Sequence, residues 1–434
     1  MTKKTMDSGK KVLLFTPKRP PPGTSPLHYG DFRPPLGLGF LAAYLERYGH
    51  EARIIDNYLQ EQNTEEAVNG FAPDFIGIYT HTASYLQVLE LIEEIRKITD
   101  KPIICGGPHA TVLPETIPDT VSHIVIGEGE VALLGIVKGE ENGRIIQKPP
   151  VGDLDSLPWP SYKHFIDKPY NFKMSLYSHG HSHGPQMEAE PVLTMNTSRG
   201  CPFGCTFCGV CFIWGRAYRF FSAGKIVEEV ENLVNTYGAK GIYFREDNFT
   251  LHRKRLEEFC DSLLERNIKI HWACESRVDA IQDEALMEKV FSAGCRGFYV
   301  GVESGEQRVL DLMEKGVTVG QIKRFFALCR KASIKTYATF CMGTPGETDE
   351  DREETNRLIE EIQPDSVDRF AYVGIPKSAV YEYILENQLY YHIDRSGFLY
   401  TEESKRVSGV LYEKGDSRLV FLENQERMLG QGLQ

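Results

Sequence analysis

Short apolar runs alternate with amphipathic stretches along most of this chain. Lys11–Thr16 is a short apolar run and predicts a buried strand. Residues 36–48 carry apolar positions at helical spacing and stop at Gly49. Glu51–Asp56 predicts a strand, 74–80 another after Pro73, and 85–97 an amphipathic helix. Residues 102–107 and 123–127 complete the series as strands that end in glycine turns. Strands that alternate with helices imply a parallel sheet covered on both faces. Ligands of such sheets bind beyond the carboxyl ends of the strands. Those ends carry Tyr79-Thr80-His81-Thr82, Cys105-Gly106-Gly107-Pro108-His109 and Gly127-Glu128-Gly129-Glu130.

The alternation breaks over 131–190, where Pro149, Pro150, Pro158 and Pro160 predict a linker. The His- and Gly-rich run 178–184 within it reads as a mobile loop, with metal binding as the alternative. From Val192 a second series starts. Strands are expected at 192–197, 241–245, 269–274, 297–301, 335–341 and 366–372, with helices at 225–237, 256–266, 284–293, 318–332 and 348–362. Six strand–helix units fall short of the eight of a closed barrel and predict an open, partial (β/α)6 barrel. The expected layout is a Rossmann-like domain over 1–150, a linker over 151–190, the partial barrel over 191–375, and a mixed, substrate-side region over 376–434. No internal repeat of fixed period is present.

A chain of 434 residues with 41% hydrophobic content supports two or more cored domains. A formal net charge of -12 argues against a general nucleic-acid binder, which needs a basic face. The polar start, Met1 to Lys11, leads into no apolar signal segment, and no run reaches the ~18 apolar residues of a membrane span. Ten cysteines in such a chain read as reduced thiols and metal ligands, in a reducing, low-oxygen cytoplasm.

Three of the ten stand at Cys201, Cys205 and Cys208, a C-x3-C-x2-C spacing with Phe207 before the third. A site closed by protein takes four ligands. Three thiolates on one tight loop can hold three irons of a 4Fe–4S cubane and leave the fourth open, the alternatives being half of a zinc site or three unrelated cysteines. This run resembles the signature of the radical S-adenosylmethionine (SAM) enzymes, and further motifs across 192–375 are similar in their order. The resemblance makes Cys201, Cys205 and Cys208 the cluster ligands and places Phe207 near the adenine of SAM. Glu246 or Asp247, in Phe244-Arg245-Glu246-Asp247-Asn248-Phe249, would receive the SAM ammonium through a charge-assisted bond. Arg277 is a candidate for the SAM carboxylate. Glu303 and Ser304, in Gly301-Val302-Glu303-Ser304-Gly305, resemble the ribose contact, and Gly343 the adenine turn. The other seven cysteines, Cys105, Cys211, Cys260, Cys274, Cys295, Cys329 and Cys341, read as small buried residues with no auxiliary cluster.

The first sheet lacks the Gly-x-Gly-x-x-Gly turn of dinucleotide binders. It resembles instead the cobalamin-binding domain that precedes many radical SAM domains. The matching pieces are Leu36 and Gly37 in Pro34-Pro35-Leu36-Gly37-Leu38-Gly39, Gly106 and Gly107, and Gly127, Glu128 and Gly129. No Asp-x-His-x-x-Gly run is present, so Tyr79 and His81 would meet the lower face of the corrin, either near cobalt or only packed against the ring.

Together the two halves resemble the cobalamin-dependent radical SAM methyltransferases. The resemblance implies an enzyme that uses a 4Fe–4S cluster, SAM and cobalamin, with an external low-potential electron donor. It would move a methyl group from SAM through methylcobalamin to an unactivated carbon of a small molecule, or of a protein or peptide residue. The alternatives are a cyclase or rearrangement enzyme on the same cofactors, and a cobalamin- and cluster-binding sensor.

Overall fold

The computed structural model describes residues 9–21, 33–170 and 189–408. The His-rich run at 178–184 and the tail beyond 408 lie outside them.

The N-terminal unit runs β1 Lys11–Thr16, α1 Leu36–Arg47, β2 Glu51–Asp56, α2 Thr64–Phe71, β3 Phe75–Tyr79, α3 Tyr85–Ile98, β4 Ile103–Gly106, α4 Pro108–Val112, β5 His123–Ile126, α5 Glu130–Val137 and β6 Ile145–Gln147. All neighbouring strands are parallel, in the order β2-β1-β3-β4-β5-β6. Five residues of β1 are fully buried, as a central parallel strand covered by helices on both faces requires. The order in which the strands are laid down reverses between β1 and β3, so the ligand crevice opens beyond the carboxyl ends of those strands.

The second unit runs β7 Val192–Met195, β8 Ser198–Arg199, α6 Val210–Trp214, β9 Arg219–Phe220, α7 Ala223–Tyr237, β10 Gly241–Phe244, α8 Arg253–Glu265, β11 His271–Ser276, α9 Glu284–Ser292, β12 Cys295–Glu303, α10 Gln307–Leu312, α11 Val319–Lys331, β13 Lys335–Met342, α12 Asp349–Ile362 and β14 Ser366–Ala371. The six long strands pair in parallel as β14-β13-β12-β11-β10-β7, and β7 and β14 remain as two edges. The barrel is therefore open. Glycines and caps punctuate it where the periodicity stops. Gly238 adopts a left-handed turn (φ 67°) after α7, and Thr318–Gln321 and Thr348–Asp351 form capping boxes before α11 and α12.

Three departures from expectation have simple causes. Helix α5, EVALLGIV, is apolar almost all round and buried, so it has no amphipathic period to read. Strand β6 has only three residues. The proline-bearing segment expected as a linker is packed into the molecule. Leu154, Leu157 and Tyr162 join the barrel core, together with Leu36 and Phe40 of α1, whereas Phe165 and Tyr170 join the first sheet's core. Trp159 stacks on Phe221 at 4.2 Å between centroids. The segment binds the two units together rather than separating them.

After β14 come α13 Ala379–Glu386, the hairpin β15 His392–Ile393 and β16 Leu399–Tyr400, and α14 Glu402–Ser408. Tyr372, Tyr381, Ile384 and Leu399 bury against Val112 and Leu113 of the first unit, with Phe207 beside them. The aromatic C-terminal region thus seals one side of the junction. Among the described residues no helix is long and apolar enough to cross a membrane.

Candidate active site between the two sheets

The cysteine loop is clipped at its base. Strands β8 and β9 pair antiparallel, Ser198 with Phe220 and Arg199 with Arg219. Gly200 lies between β8 and Cys201 at φ 90°, where a Cβ would run into the Ala217 carbonyl. Within the loop, Cys201 N donates to Gly215 O at 3.3 Å and Cys208 N to Cys205 O at 3.1 Å. Thr206 is held from both sides: its N–H donates to Met313 O at 2.9 Å, and its carbonyl accepts from Val380 N at 3.0 Å.

All three loop thiols are free and half-buried. Sulfur acceptors already meet donors here, Val210 N to Cys208 Sγ at 3.5 Å and an Arg277 Nη to Cys205 Sγ at 4.0 Å. Burial pushes the Cys208 thiol up to about 12, with Asp247 and the other two cysteines adding to it. A cationic iron cluster is what would hold such thiols ionised. Among the described residues no group of three His, Cys, Asp or Glu converges to hold a single metal ion.

Glu246 and Asp247 part company. Glu246 is buried, and accepts from Thr197 Oγ1 at 2.9 Å, Ser198 N at 3.0 Å, Ser198 Oγ at 2.8 Å and Arg255 at 3.4 Å. Its oxygens are occupied in tying β10 to the root of the cysteine loop. That leaves Asp247, whose side chain is exposed to the cleft and whose charge bears on Cys201 and Cys208. The enclosing protein, with Glu246 beside it, pushes Asp247 up to about 6.

Arg277 lies against the Phe203 ring (3.6 Å from its centroid), and is held by Asp279 at 2.9 Å and by the Lys315 carbonyl at 2.8 Å. Glu303 ends β12 at φ 71°, a strained conformation for a residue with a side chain, and its carboxylate pairs with Lys315 Nζ at 2.9 Å. Lys315 also stands 5.8 Å from the Phe207 ring centroid. Cys201, Cys205, Cys208, Phe207, Asp247, Arg277 and Glu303 therefore surround the barrel mouth. Ser304 does not: it is fully buried and hydrogen-bonded to Thr355 Oγ1 at 3.3 Å, facing α12. Gly343 forms a positive-φ turn (φ 78°) against the backbone of Ser404.

On the other side of the cleft, the ends of β3, β4 and β5 are stitched together. Thr80 N donates to Gly106 O at 2.7 Å and Gly127 N to Thr111 Oγ1 at 3.0 Å. Tyr79 and His81 stack at 6.4 Å. His81 Nδ1 accepts from Ala83 N at 3.2 Å, and burial together with Arg245 lowers its pKa to about 4, so the imidazole is neutral at pH 7. Arg245, one residue past β10, reaches Tyr79 and His81 electrostatically, so the two sheets present their carboxyl ends to one cleft. Gly37 lies exposed in the first turn of α1, while Leu36 faces the barrel core. Gly129 packs on Leu41.

Glu128 is diverted from any ligand. It accepts from Arg199 at 2.8 Å and Val151 N at 3.2 Å, and also pairs with Arg219. Arg199 pairs with Glu130 as well. This clamp, together with Lys315, Arg245 and Glu275, escapes the sequence reading. Arg199 stands two residues before Cys201, but nothing in the sequence places Glu128 and Glu130 opposite it.

The glycines of the first unit differ in what they permit. Gly107 sits at φ 113°, and a Cβ there would lie 2.7 Å from Thr80 O and 3.0 Å from the Tyr79 ring. Gly107→Ala is expected to cost about 1–3 kcal/mol and to weaken cobalamin binding. Gly37 has open space around it, so Gly37→Ala should be neutral or stabilising by up to about 1 kcal/mol. Thermal melts and cobalamin titrations of the two variants check both statements; equal behaviour would refute the steric argument.

Fold and cleft define a radical enzyme with a corrinoid-binding domain. The radical SAM superfamily profile matches residues 195–359, and the B12 binding domain profile matches residues 28–137. A protein of Pyrococcus horikoshii described as an uncharacterized methyltransferase is 28% identical over 404 residues, covering 87% of this chain and 84% of its own length. The anaerobic magnesium-protoporphyrin IX monomethyl ester cyclase of Rubrivivax gelatinosus is also 28% identical, over 80% of this chain and 66% of its own. Among solved structures, the radical SAM methyltransferase TsrM of Kitasatospora setae, with cobalamin and a 4Fe–4S cluster bound, superimposes with a TM-score of 0.66 at 19% identity, over 87% of this chain and 75% of its own. The chain therefore carries a B12 binding domain followed by a radical SAM domain. The two domains imply an enzyme that uses a 4Fe–4S cluster, SAM and cobalamin, with an electron donor and a substrate.

Proposed function

We propose that this enzyme methylates an unactivated carbon of its substrate, with SAM as the methyl source and an external low-potential donor for electrons. The observation that carries the reading is the shared cleft: the carboxyl ends of both parallel sheets meet there, and Arg199 clamps the cysteine loop to the β5–α5 turn of the first unit. When bound, the cluster supplies the electron that cleaves SAM to a radical, and the corrinoid carries the methyl group. Cys201, Cys205 and Cys208 hold the cluster. Asp247 receives the SAM ammonium, Arg277 its carboxylate, and Glu303 the ribose hydroxyls, with Lys315 setting the Glu303 rotamer. Phe207 and the Gly343 turn flank the adenine. The ends of β3, β4 and β5, with Tyr79, His81, Gly106, Gly107 and Gly127, bed the corrinoid. Holding methyl carrier and radical source in one cleft replaces a chance encounter by a fixed geometry.

A second reading keeps the cofactors but not the methyl transfer. It is favoured by the cyclase of Rubrivivax gelatinosus, which is as similar in identity as the methyltransferase relative. Anaerobic reconstitution with hydroxocobalamin, methyl-labelled SAM and a low-potential reductant separates the two. Label in the corrinoid together with 5′-deoxyadenosine, both followed by mass spectrometry, is the expected result. 5′-Deoxyadenosine without label in the corrinoid overturns methyl transfer in favour of cyclisation or rearrangement.

A further inference from the structure

The turn after β13 is held from behind. Gly343 and Gly346 both take positive φ, 78° and 85°, and Met342 O accepts from Tyr372 N, just past β14, at 2.7 Å. The turn closes on Glu347. Its N–H donates to Thr344 O at 2.9 Å, and its Oε2 accepts from Gly343 N. The Glu347 side chain has no accessible surface, and its Oε1 meets no hydrogen-bond donor among the described residues. A buried carboxylate this short of donors depends on its counter-ion. Among the described residues that counter-ion is Arg352, in the first turn of α12, at 3.1 Å.

Arg352 is shared with α14. Its Nη1 also pairs with Glu403 at 2.9 Å, and its Nη2 pairs with Asp349. Arg406 meets Asp349 at 2.9 Å and Glu403 at 2.6 Å, which closes a ring of charges between α12 and α14. The start of α14 also lies directly on the turn: a Cβ on Gly343 would stand 3.2 Å from Ser404 Cα and 3.3 Å from Glu403 O. Thr401 caps that helix, with Oγ1 accepting from Ser404 N at 3.0 Å and its own N–H donating to Ser404 Oγ at 2.9 Å. Val407 packs against the barrel core.

We propose that α14 is a latch on the SAM site: through Glu403 and Arg352 it holds Glu347 under the Gly343 turn, and so fixes the shape in which that turn receives the adenine of SAM. Glu403 and Arg352 are positioning residues that act through Glu347. The proposal rests on the reading of the Gly343 turn as a flank of the adenine. Burial raises the Glu347 pKa, and the Gly343 N–H and Arg352 oppose it. Once Arg352 is drawn away, the carboxylate loses its counter-ion, and with it the charge that grips Gly343 N.

The test compares Glu403→Lys and Arg352→Met with the wild type, each as reconstituted holoenzyme. Hydrogen exchange of the 342–347 peptide without SAM, followed by mass spectrometry, reads local opening of the turn. Equilibrium dialysis of labelled SAM reads affinity. Exchange over 342–347 should quicken in both variants while β1 stays protected. SAM should bind more weakly, by about threefold in Glu403→Lys and about tenfold or more in Arg352→Met. 5′-Deoxyadenosine formation should fall at low SAM and recover at saturating SAM, which loss of folded enzyme would not do. Unchanged exchange in Glu403→Lys overturns the latch and leaves the adenine reading of the turn standing. Faster exchange over 342–347 with unchanged SAM affinity overturns the adenine reading, and the latch on SAM with it. Faster exchange throughout the barrel would make the ring a general brace and would also overturn the proposal. Glu403 is 30% exposed, so its variant decides the matter even where Arg352→Met does not fold.

Discussion

Replacing Cys205 by alanine is expected to abolish cluster assembly and to lower 5′-deoxyadenosine formation by at least about a thousandfold, about 4 kcal/mol of barrier, while leaving the fold intact. The loop's shape does not depend on its sulfurs. It is clipped by β8 and β9, turned at Gly200, and tethered by Thr206 to Met313 and Val380 through backbone hydrogen bonds. The Cys205 thiol is half-buried and, among the described residues, its sulfur meets a donor only in the long contact with Arg277 at 4.0 Å. Its removal should therefore shift stability by less than about 1 kcal/mol. Iron and sulfide content, the cluster's visible absorbance and a thermal melt measure the three parts. A variant that keeps its iron and its radical chemistry would remove Cys205 from the ligand set. One that loses both iron and fold would show that the loop is built on its sulfurs instead.

The second large effect concerns Arg199. Its side chain is 9% exposed and lies between Glu128 and Glu130, each 5% exposed. It also lies over the rings of Phe40 and Trp214. Arg199→Met keeps much of the packing and removes the charge. Glu130 then loses the Arg199 fork, and Glu128 keeps Arg219 and the Val151 N–H. Breaking a buried pair from one side costs about 3–5 kcal/mol, because the remaining charge stays desolvated. Denaturant titration should show that loss. Adding Glu130→Gln to Arg199→Met should recover part of it, since the stranded charge is then gone. Purely additive effects would mean that the clamp does not act as a unit. Because Arg199 stands two residues before Cys201, cluster occupancy should fall in the single variant and recover in the double.

Much of this architecture was legible before any coordinates. Strand β1 and strand β2 match their apolar runs residue for residue, and the barrel strands fall within a few residues of their expected places. Periodicity reports burial of one face, so it found the long helices with a wet side, α1, α3, α7, α8, α9, α11 and α12, and passed over the shorter α2, α10 and α13. It failed at α5, which has no wet side, and at β6, which is too short to carry a pattern. The cysteine spacing sufficed for the cluster loop because those ligands are local in sequence.

The sequence by itself determined the order of the two parallel sheets, the three-thiol loop and the set of acidic and basic candidates around it. Only the tertiary structure decided which candidates face the cleft. Adjacent carboxylates at Glu246 and Asp247 look equivalent in sequence, yet one is buried on Thr197, Ser198 and Arg255 and the other opens toward the cysteines. Glu128 looks like a ligand contact and instead holds Arg199 and Arg219, while Ser304 turns into α12. The physical reason is common to all three. A buried charge or hydroxyl must find a partner, and partners such as Ser198, Thr355 and Arg199, which lie 48, 51 and 71 residues away along the chain, become neighbours only when the sheets are assembled.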